Sequence, residues 1–256
     1  ELDIKNAKLF GLDFQSPKIV FKKKLNDLYV EANSSITGKL DNIDDLLINF
    51  DMSLEKYNIN FSNLDFNLSN KINFKLEKFI KLQNFQIEGE GIVNTFNINS
   101  DNISELKKVT NVNKNIEFKD NKIFYTYKKN NSKVKTSGSI KLNKKFENYS
   151  SEINYDYKNK STIFNTNINL NSSNIHFENI NYFKPINKKA ILNVNGYLSK
   201  NKKILKNLKY EEGKNHVLIK NLRLDDKIQI YDFDQISVNT LKDNIFRNNF
   251  SIYKKK

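Results

Sequence analysis

Tyr57-Asn58-Ile59-Asn60-Phe61-Ser62-Asn63-Leu64-Asp65-Phe66-Asn67-Leu68-Ser69-Asn70-Lys71-Ile72-Asn73-Phe74-Lys75-Leu76 is the stretch that decides the fold. Tyr57, Ile59 and Phe61 alternate with Asn58, Asn60 and Ser62. After a one-residue slip Leu64, Phe66 and Leu68 take up the pattern, and Ile72, Phe74 and Leu76 extend it. Successive side chains of a strand point to opposite faces, so the pattern describes a sheet apolar on one side and polar on the other. No helical run of comparable length competes with it. An all-β chain is expected: a long curled antiparallel sheet of many short meandering strands, with at most one or two short helices.

The same alternation extends in both directions. Candidate strands are 18–22, 25–31, 47–54, 57–68, 72–76, 79–87, 92–99, 116–118, 123–127, 134–142, 151–157, 162–170, 175–177, 190–198, 204–210, 216–224, 228–233, 236–239 and 246–253. Between them lie short polar turns such as Lys128-Lys129-Asn130-Asn131, Lys158-Asn159-Lys160 and Asp225-Asp226-Lys227. Asn and Asp tolerate positive φ, and with only 7 Gly in the chain they carry the hairpin tips. Residues 42–47 and 104–109 are the two short helical candidates. Pro17 and Pro185 fall at strand boundaries, where a missing N–H does least harm. Roughly sixteen to twenty strands at about 4.8 Å spacing would make a sheet on the order of 80–90 Å long. Open sheets beyond about ten strands normally curl, split or close, so the apolar face must be covered by something.

Composition agrees with a single layer. The hydrophobic fraction is 38%, below the roughly 45–50% of ordinary globular domains, while 19 Phe and 12 Tyr suit half-buried strands. No linker or compositional shift divides residues 1–256, which read as one continuous unit. The chain starts at Glu1 rather than Met and its strand pattern runs close to both ends, so it is expected to be a segment of a longer protein. No run approaches the roughly 18 apolar residues of a spanning helix, and no signal peptide opens the chain. The net charge of +14 comes almost wholly from Lys, with Asn and Ile over-used alongside. That combination reads as AT-rich coding bias, the lysines being spread along the chain and solvated; a polyanion or anionic-lipid surface is the other reading.

Catalytic and metal chemistry is poorly represented. Cys is absent, and His176 and His216 are isolated within candidate strands. Gly89-Glu90-Gly91 lacks the helix a phosphate loop needs and reads as a turn or bulge. The acidic pairs Asp44-Asp45, Glu211-Glu212 and Asp225-Asp226 read as solvated loop residues, and Asp232 and Asp234 have no evident partner for a cation site. The chain reads as non-enzymatic, with no cofactor.

Residues 170–239 resemble the AsmA-like superfamily of bacterial envelope proteins, particularly its TamB and YhdP branch. The resemblance is carried by Asn174-Ile175-His176-Phe177-Glu178-Asn179-Ile180-Asn181-Tyr182-Phe183-Lys184-Pro185, followed by strands 190–198 (with Gly196), 204–210, 216–224 and 228–233. Upstream, Phe85-Gln86-Ile87-Glu88-Gly89-Glu90-Gly91 and Thr136-Ser137-Gly138-Ser139-Ile140 look like that family's Gly-marked strand starts. The resemblance implies a β-trough crossing the periplasm, anchored to the inner membrane through a segment outside this chain. It also implies partnership with phospholipid and with inner- and outer-membrane proteins of the envelope, and no nucleic-acid partner. It supplies no catalytic residues.

The residues expected to line an apolar lipid groove are Ile59, Phe61, Leu64, Phe66, Ile72, Phe74, Ile140, Leu142, Ile168, Leu170, Leu192, Val194, Ile228 and Ile230. Each is equally compatible with an ordinary core between two sheets. The competing architectures are an outer-membrane barrel, or a structural or adhesin-type β-sandwich without a transport role.

Overall fold

A computed structural model describes residues 2–3, 6–9, 12–42, 59–78, 80–100, 115–142, 144–225, 229–242 and 246–254. The alternating stretches form β1 (Leu2–Asp3), β2 (Asn6–Leu9), β3 (Leu12–Lys24), β4 (Asp27–Asn42), β5 (Ile59–Glu77), β6 (Lys81–Ser100), β7 (Asn115–Lys128), β8 (Asn131–Lys141) and β9 (Phe146–Asp156). They continue through β10 (Ser161–Asn169), β11 (Ile175–Phe177), β12 (Tyr182–Lys184), β13 (Ile191–Ser199), β14 (Lys202–Glu212), β15 (Asn215–Leu224), β16 (Ile230–Asp232), β17 (Gln235–Lys242) and β18 (Phe246–Tyr253). No α-helix occurs among the described residues. The helical candidate 104–109 lies outside them, as does 42–47 beyond Asn42, the last residue of β4; strand candidate 47–54 lies outside as well.

Sixteen strands make one sheet in the order β1-β3-β4-β5-β6-β7-β8-β9-β10-β13-β14-β15-β17-β18, with β2 attached to β3 and β16 to β15. All pairings are antiparallel, as a meander of hairpins requires. The sheet is open: its path runs from β1 to β18, and no pairing joins those edges among the described residues. Nor is there a second large sheet among them, only the two-stranded ribbon of β11 and β12. Neither the barrel nor the two-sheet sandwich describes this architecture.

The strands are longer than the sequence breaks suggest. β5 has 19 residues and β6 has 20, each fusing two candidate strands, and β7 likewise joins 116–118 to 123–127. The slips in alternation are bulges, not turns. Asn63 (φ 55°), Asn84 (φ 53°) and Asp120 (φ 52°) adopt the left-handed conformation where the register shifts. The bulge at Asn63 keeps Phe61 and Leu64 on the same face although they are three residues apart. Pro17 sits inside β3 at another register shift, between Gln15 and Lys18, rather than at a strand boundary.

Registered neighbours share a face, so the pairings trace both surfaces. Phe14, Ile36, Leu68, Gly91, Ile123, Thr136, Ser151, Thr166, Val194, Leu208, Ile219, Ile236 and Ile252 form one unbroken row from β3 to β18. The adjacent row on the other face reads Gln15, Ser35, Ser69, Glu90, Phe124, Lys135, Glu152, Asn165, Asn195, Asn207, Lys220, Gln235 and Tyr253 over the same strands. One face is predominantly apolar and the other predominantly polar, although Ile92, Phe146, Ile163 and Ile191 are exposed on the polar one.

The glycines are placed by this arrangement. Gly89, Gly91, Gly138 and Gly196 lie within strands, not at strand starts or in a turn. A Cβ on Gly38 would meet the Phe66 ring, one on Gly89 the Tyr125 ring and one on Gly196 the Phe164 ring, so an aromatic side chain covers each.

Candidate functional site: the apolar face and its cover

Two aromatic ladders cross the apolar face. Phe61, Phe96, Phe118 and Tyr149 form one, with Phe96 and Phe118 stacked at 4.2 Å between centroids and 5° between planes. Phe74, Phe85, Tyr127 and Tyr157 form the other, with centroids 5.4–6.3 Å apart. Between them the face carries smaller side chains and hydroxyls: Thr136, Ser151 and Thr166 follow one another in register, with Ile123 between Thr136 and Gly91, and Ser151 Oγ lies 2.8 Å from Thr166 Oγ1. Tyr125 spans this strip and donates its hydroxyl to Asn70 Oδ1; burial raises the Tyr125 pKa above the usual tyrosine range.

One end of the face is covered. After β10 the chain leaves the sheet, forms the β11–β12 ribbon around a 3-10 turn (Glu178–Ile180), and returns at Ala190. Tyr182, Ile175, Leu170, Ala190 and Tyr210 form a buried cluster, against which Leu142, Ile168, Phe177, Leu192 and Val217 pack. The covered sheet residues Ile168, Leu192, Tyr210 and Val217 follow one another in register, so the ribbon lies across several strands.

Polar groups pin the ribbon. Glu147, buried on β9, accepts the backbone N–H groups of Asn171 (3.1 Å) and Ser172 (2.7 Å). Tyr182 donates its hydroxyl to Glu212 Oε2 (2.8 Å) and lies 2.9 Å from the Tyr210 hydroxyl, while Asn215 Nδ2 donates to the same Glu212 oxygen (2.6 Å). Asn248 of β18 donates to Ile180 O (2.7 Å). Lys184 is fully buried and donates to the carbonyls of Ser173 (2.6 Å) and Pro185 (3.1 Å), with no carboxylate in ion-pair range among the described residues. Burial pushes its pKa down, partly offset by attraction to Glu147 and Glu212. Ser173 Oγ is buried without a hydrogen-bond partner among the described residues. Burial drives the Tyr182 and Tyr210 hydroxyls well above the usual tyrosine range.

Away from the ribbon the apolar face is covered in part by its own side chains, Val30, Phe66, Val93 and Leu222 being buried, and exposed in part. Ile153 keeps 37% of its surface exposed, Phe250 41% and Ile252 48%. A depression of about 710 Å³ among the described residues lies on the polar side, is lined by Glu90, Lys122, Lys135, Glu152, Asn165 and Asn167 among others, and gives hydrocarbon no dry wall.

No protein-family model, curated protein or solved structure matches this chain.

The expected lining residues divide into two groups. Phe61, Leu64, Phe66, Ile72, Phe74, Ile140, Leu142, Ile168, Leu170, Leu192 and Val194 all lie on the apolar face. Leu142, Ile168, Leu170 and Leu192 are packed under or against the ribbon and are protein core there. Ile230, on β16, is largely exposed. The side chain of Ile59, in β5, and the whole of Ile228 lie outside the described residues.

Three polar readings change. Glu212 is a buried anchor at the end of β14 rather than a solvated loop residue. Asp232 and Asp234 are held by Arg223 at 2.9 and 2.7 Å, and Asp232 also by Lys254 at 2.5 Å, so their charge is neutralised within the chain. Their pKa values are held below the usual range, Asp232 chiefly by Lys254 and Asp234 chiefly by Asn221 and Arg223. The lysines are also less dispersed than their spacing in sequence implies. In a meander every second connection returns to the same edge, which gathers the tips 25–26, 78–80, 129–130, 157–160 and 200–201.

Alternation across the bulges could have placed Ile153 and Phe250 on the lining face. The ribbon's anchors Glu147, Tyr182 and Lys184 leave no such trace, because they depend on a segment that departs from the alternating pattern.

Proposed function

We propose that this chain is a segment of an envelope protein that shields phospholipid acyl chains on its apolar face as they move between inner and outer membrane. On this reading it sits in the periplasm, is anchored to the inner membrane by a segment outside this chain, meets inner- and outer-membrane proteins, and performs no catalysis. The curled trough that would hold the lipid is part of the proposal; the right-handed twist of so long a sheet favours it. The observation that carries the reading is a continuous apolar face on an open sixteen-stranded sheet, on which Phe21, Leu82, Ile153, Phe250 and Ile252 stay exposed.

The energetics suit a non-specific surface. A two-tailed lipid has roughly thirty methylenes, whose exposure to water costs on the order of 20–25 kcal/mol. Side chains such as Ile153, Phe250 and Ile252 can remove much of that cost while headgroups stay at the rim. The test is lipid extraction of the purified protein followed by mass spectrometry. Phospholipid is expected to co-purify, to fall several-fold in the double variant Ile153→Asp/Ile252→Asp, and to be unchanged in Ile163→Asp, an equally exposed position on the polar face. Lipid-free protein, or equal loss in all variants, would overturn the reading.

A further inference from the structure

We infer that the edge formed by the hairpin tips is a docking surface for an anionic phospholipid bilayer. Its first support is charge. Lys24, Lys78, Lys129, Lys158, Lys160 and Lys200 stand at or beside five tips on one edge, all exposed and none in an ion pair among the described residues; they outnumber the carboxylates that share that edge, Asp156 beside the fourth tip and Asp225 in the connection that follows β15 included. Register shows that the tips are neighbours: Asp27 pairs with Glu77, Asn131 with Asp156, and Ser161 with Ser199. Level tips two strands apart, 25–26 with 78–80 and 129–130 with 157–160, lie about 10 Å from one another, close to a Debye length at physiological salt, so their fields overlap within each group.

The second support is apolar and independent of the charge. Leu25, in the tip between β3 and β4, is 93% exposed, and Ile80, in the next tip, is 87% exposed. Leu25 holds φ at 53°, which presents a large aliphatic side chain at a position more often given to Gly or Asn. These two hairpins also project furthest: β7 ends at Lys128 opposite Gln86, so residues 81–85 carry the second tip past it. An aliphatic side chain among lysines at the foremost point of an edge fits the interfacial zone of a bilayer, where the ammonium groups meet phosphates and the side chain enters the acyl boundary. Nucleic acid would use the lysines but offers Leu25 and Ile80 nothing. The ribbon covers the apolar face at the opposite strand ends, so the docking edge is the uncovered one.

The test is vesicle co-sedimentation of the full chain, using phosphatidylcholine with or without a minor fraction of phosphatidylglycerol. Binding is expected only with the anionic lipid and should weaken as salt rises. Each lysine near the surface contributes about fivefold, so Lys24→Glu/Lys78→Glu/Lys129→Glu/Lys158→Glu should lower affinity more than about a hundredfold. Leu25→Ser/Ile80→Ser should lower it without altering the salt dependence. The control Lys144→Glu/Lys145→Glu/Lys189→Glu/Lys214→Glu makes the same charge change at the other end and should bind far more tightly than the tip variant. Equal loss in both lysine sets would reduce the effect to net charge and overturn the proposal. So would indifference to lipid charge, or an oligonucleotide that displaces the protein from vesicles while Leu25→Ser/Ile80→Ser has no effect. Co-purified acyl lipid plays no part in this assay, so its outcome is separable from the transport reading.

Discussion

At the residue scale, the groups that fasten the ribbon titrate in opposite directions. Burial lowers the Lys184 pKa, Glu147 and Glu212 restore part of it, and Lys188 adds repulsion. The detached ribbon therefore binds more protons at Lys184 than the attached one, and attachment strengthens as pH climbs toward the free-lysine value near 10.5. Tyr182 and Tyr210 oppose this above about pH 10: their buried hydroxyls keep protons that the detached chain loses, so their contribution is present below that pH and fades above it. Denaturant midpoints measured as a pH series should rise on the alkaline side and then fall past pH 10. Lys184→Met should abolish the rise and keep the fall. An unchanged slope in that variant would show that Lys184 is not the group responsible.

At the element scale, the bulges hold the two faces in register. Asn63 and Asp120 accept φ near 50° because a short polar side chain tolerates the left-handed region, where a β-branched residue clashes with its own backbone. Asn63→Val and Asp120→Val should each cost about 1–2 kcal/mol in urea unfolding, whereas Asn63→Gly and Asp120→Gly should be nearly neutral. These positions also mark how far the sequence could be read. The alternation through Phe66, Leu68, Ile72 and Phe74 announced an antiparallel meander with one apolar face, and the polar tips at Lys129-Asn130 and Lys158-Asn159-Lys160 announced its hairpins. The break around Asp120 looked like a strand end because period-two patterning cannot separate a bulge from a turn. Residues 175–177 looked like one more strand of the sheet because a short ribbon lying on a sheet carries the same local pattern as a strand within it.

At the scale of the whole molecule, an open sheet with one apolar face leaves a question of solvent that ordinary domains do not pose. The ribbon covers one end, the aromatic ladders and the small-residue strip between them remain outside it, and the tip lysines collect along the opposite edge. These features together describe a surface with a closed end, an open end and a charged border, which local reading of the chain could not assemble because residues far apart in sequence create each of them. Placing a photo-activatable side chain at Ile153 and, separately, at Ile163 compares the two faces of the same pair of strands. After irradiation in cells, the Ile153 position should yield a phospholipid adduct and the Ile163 position none. Crosslinks from Ile153 only to protein, or equal lipid capture from both positions, would contradict the claim that hydrocarbon covers this face.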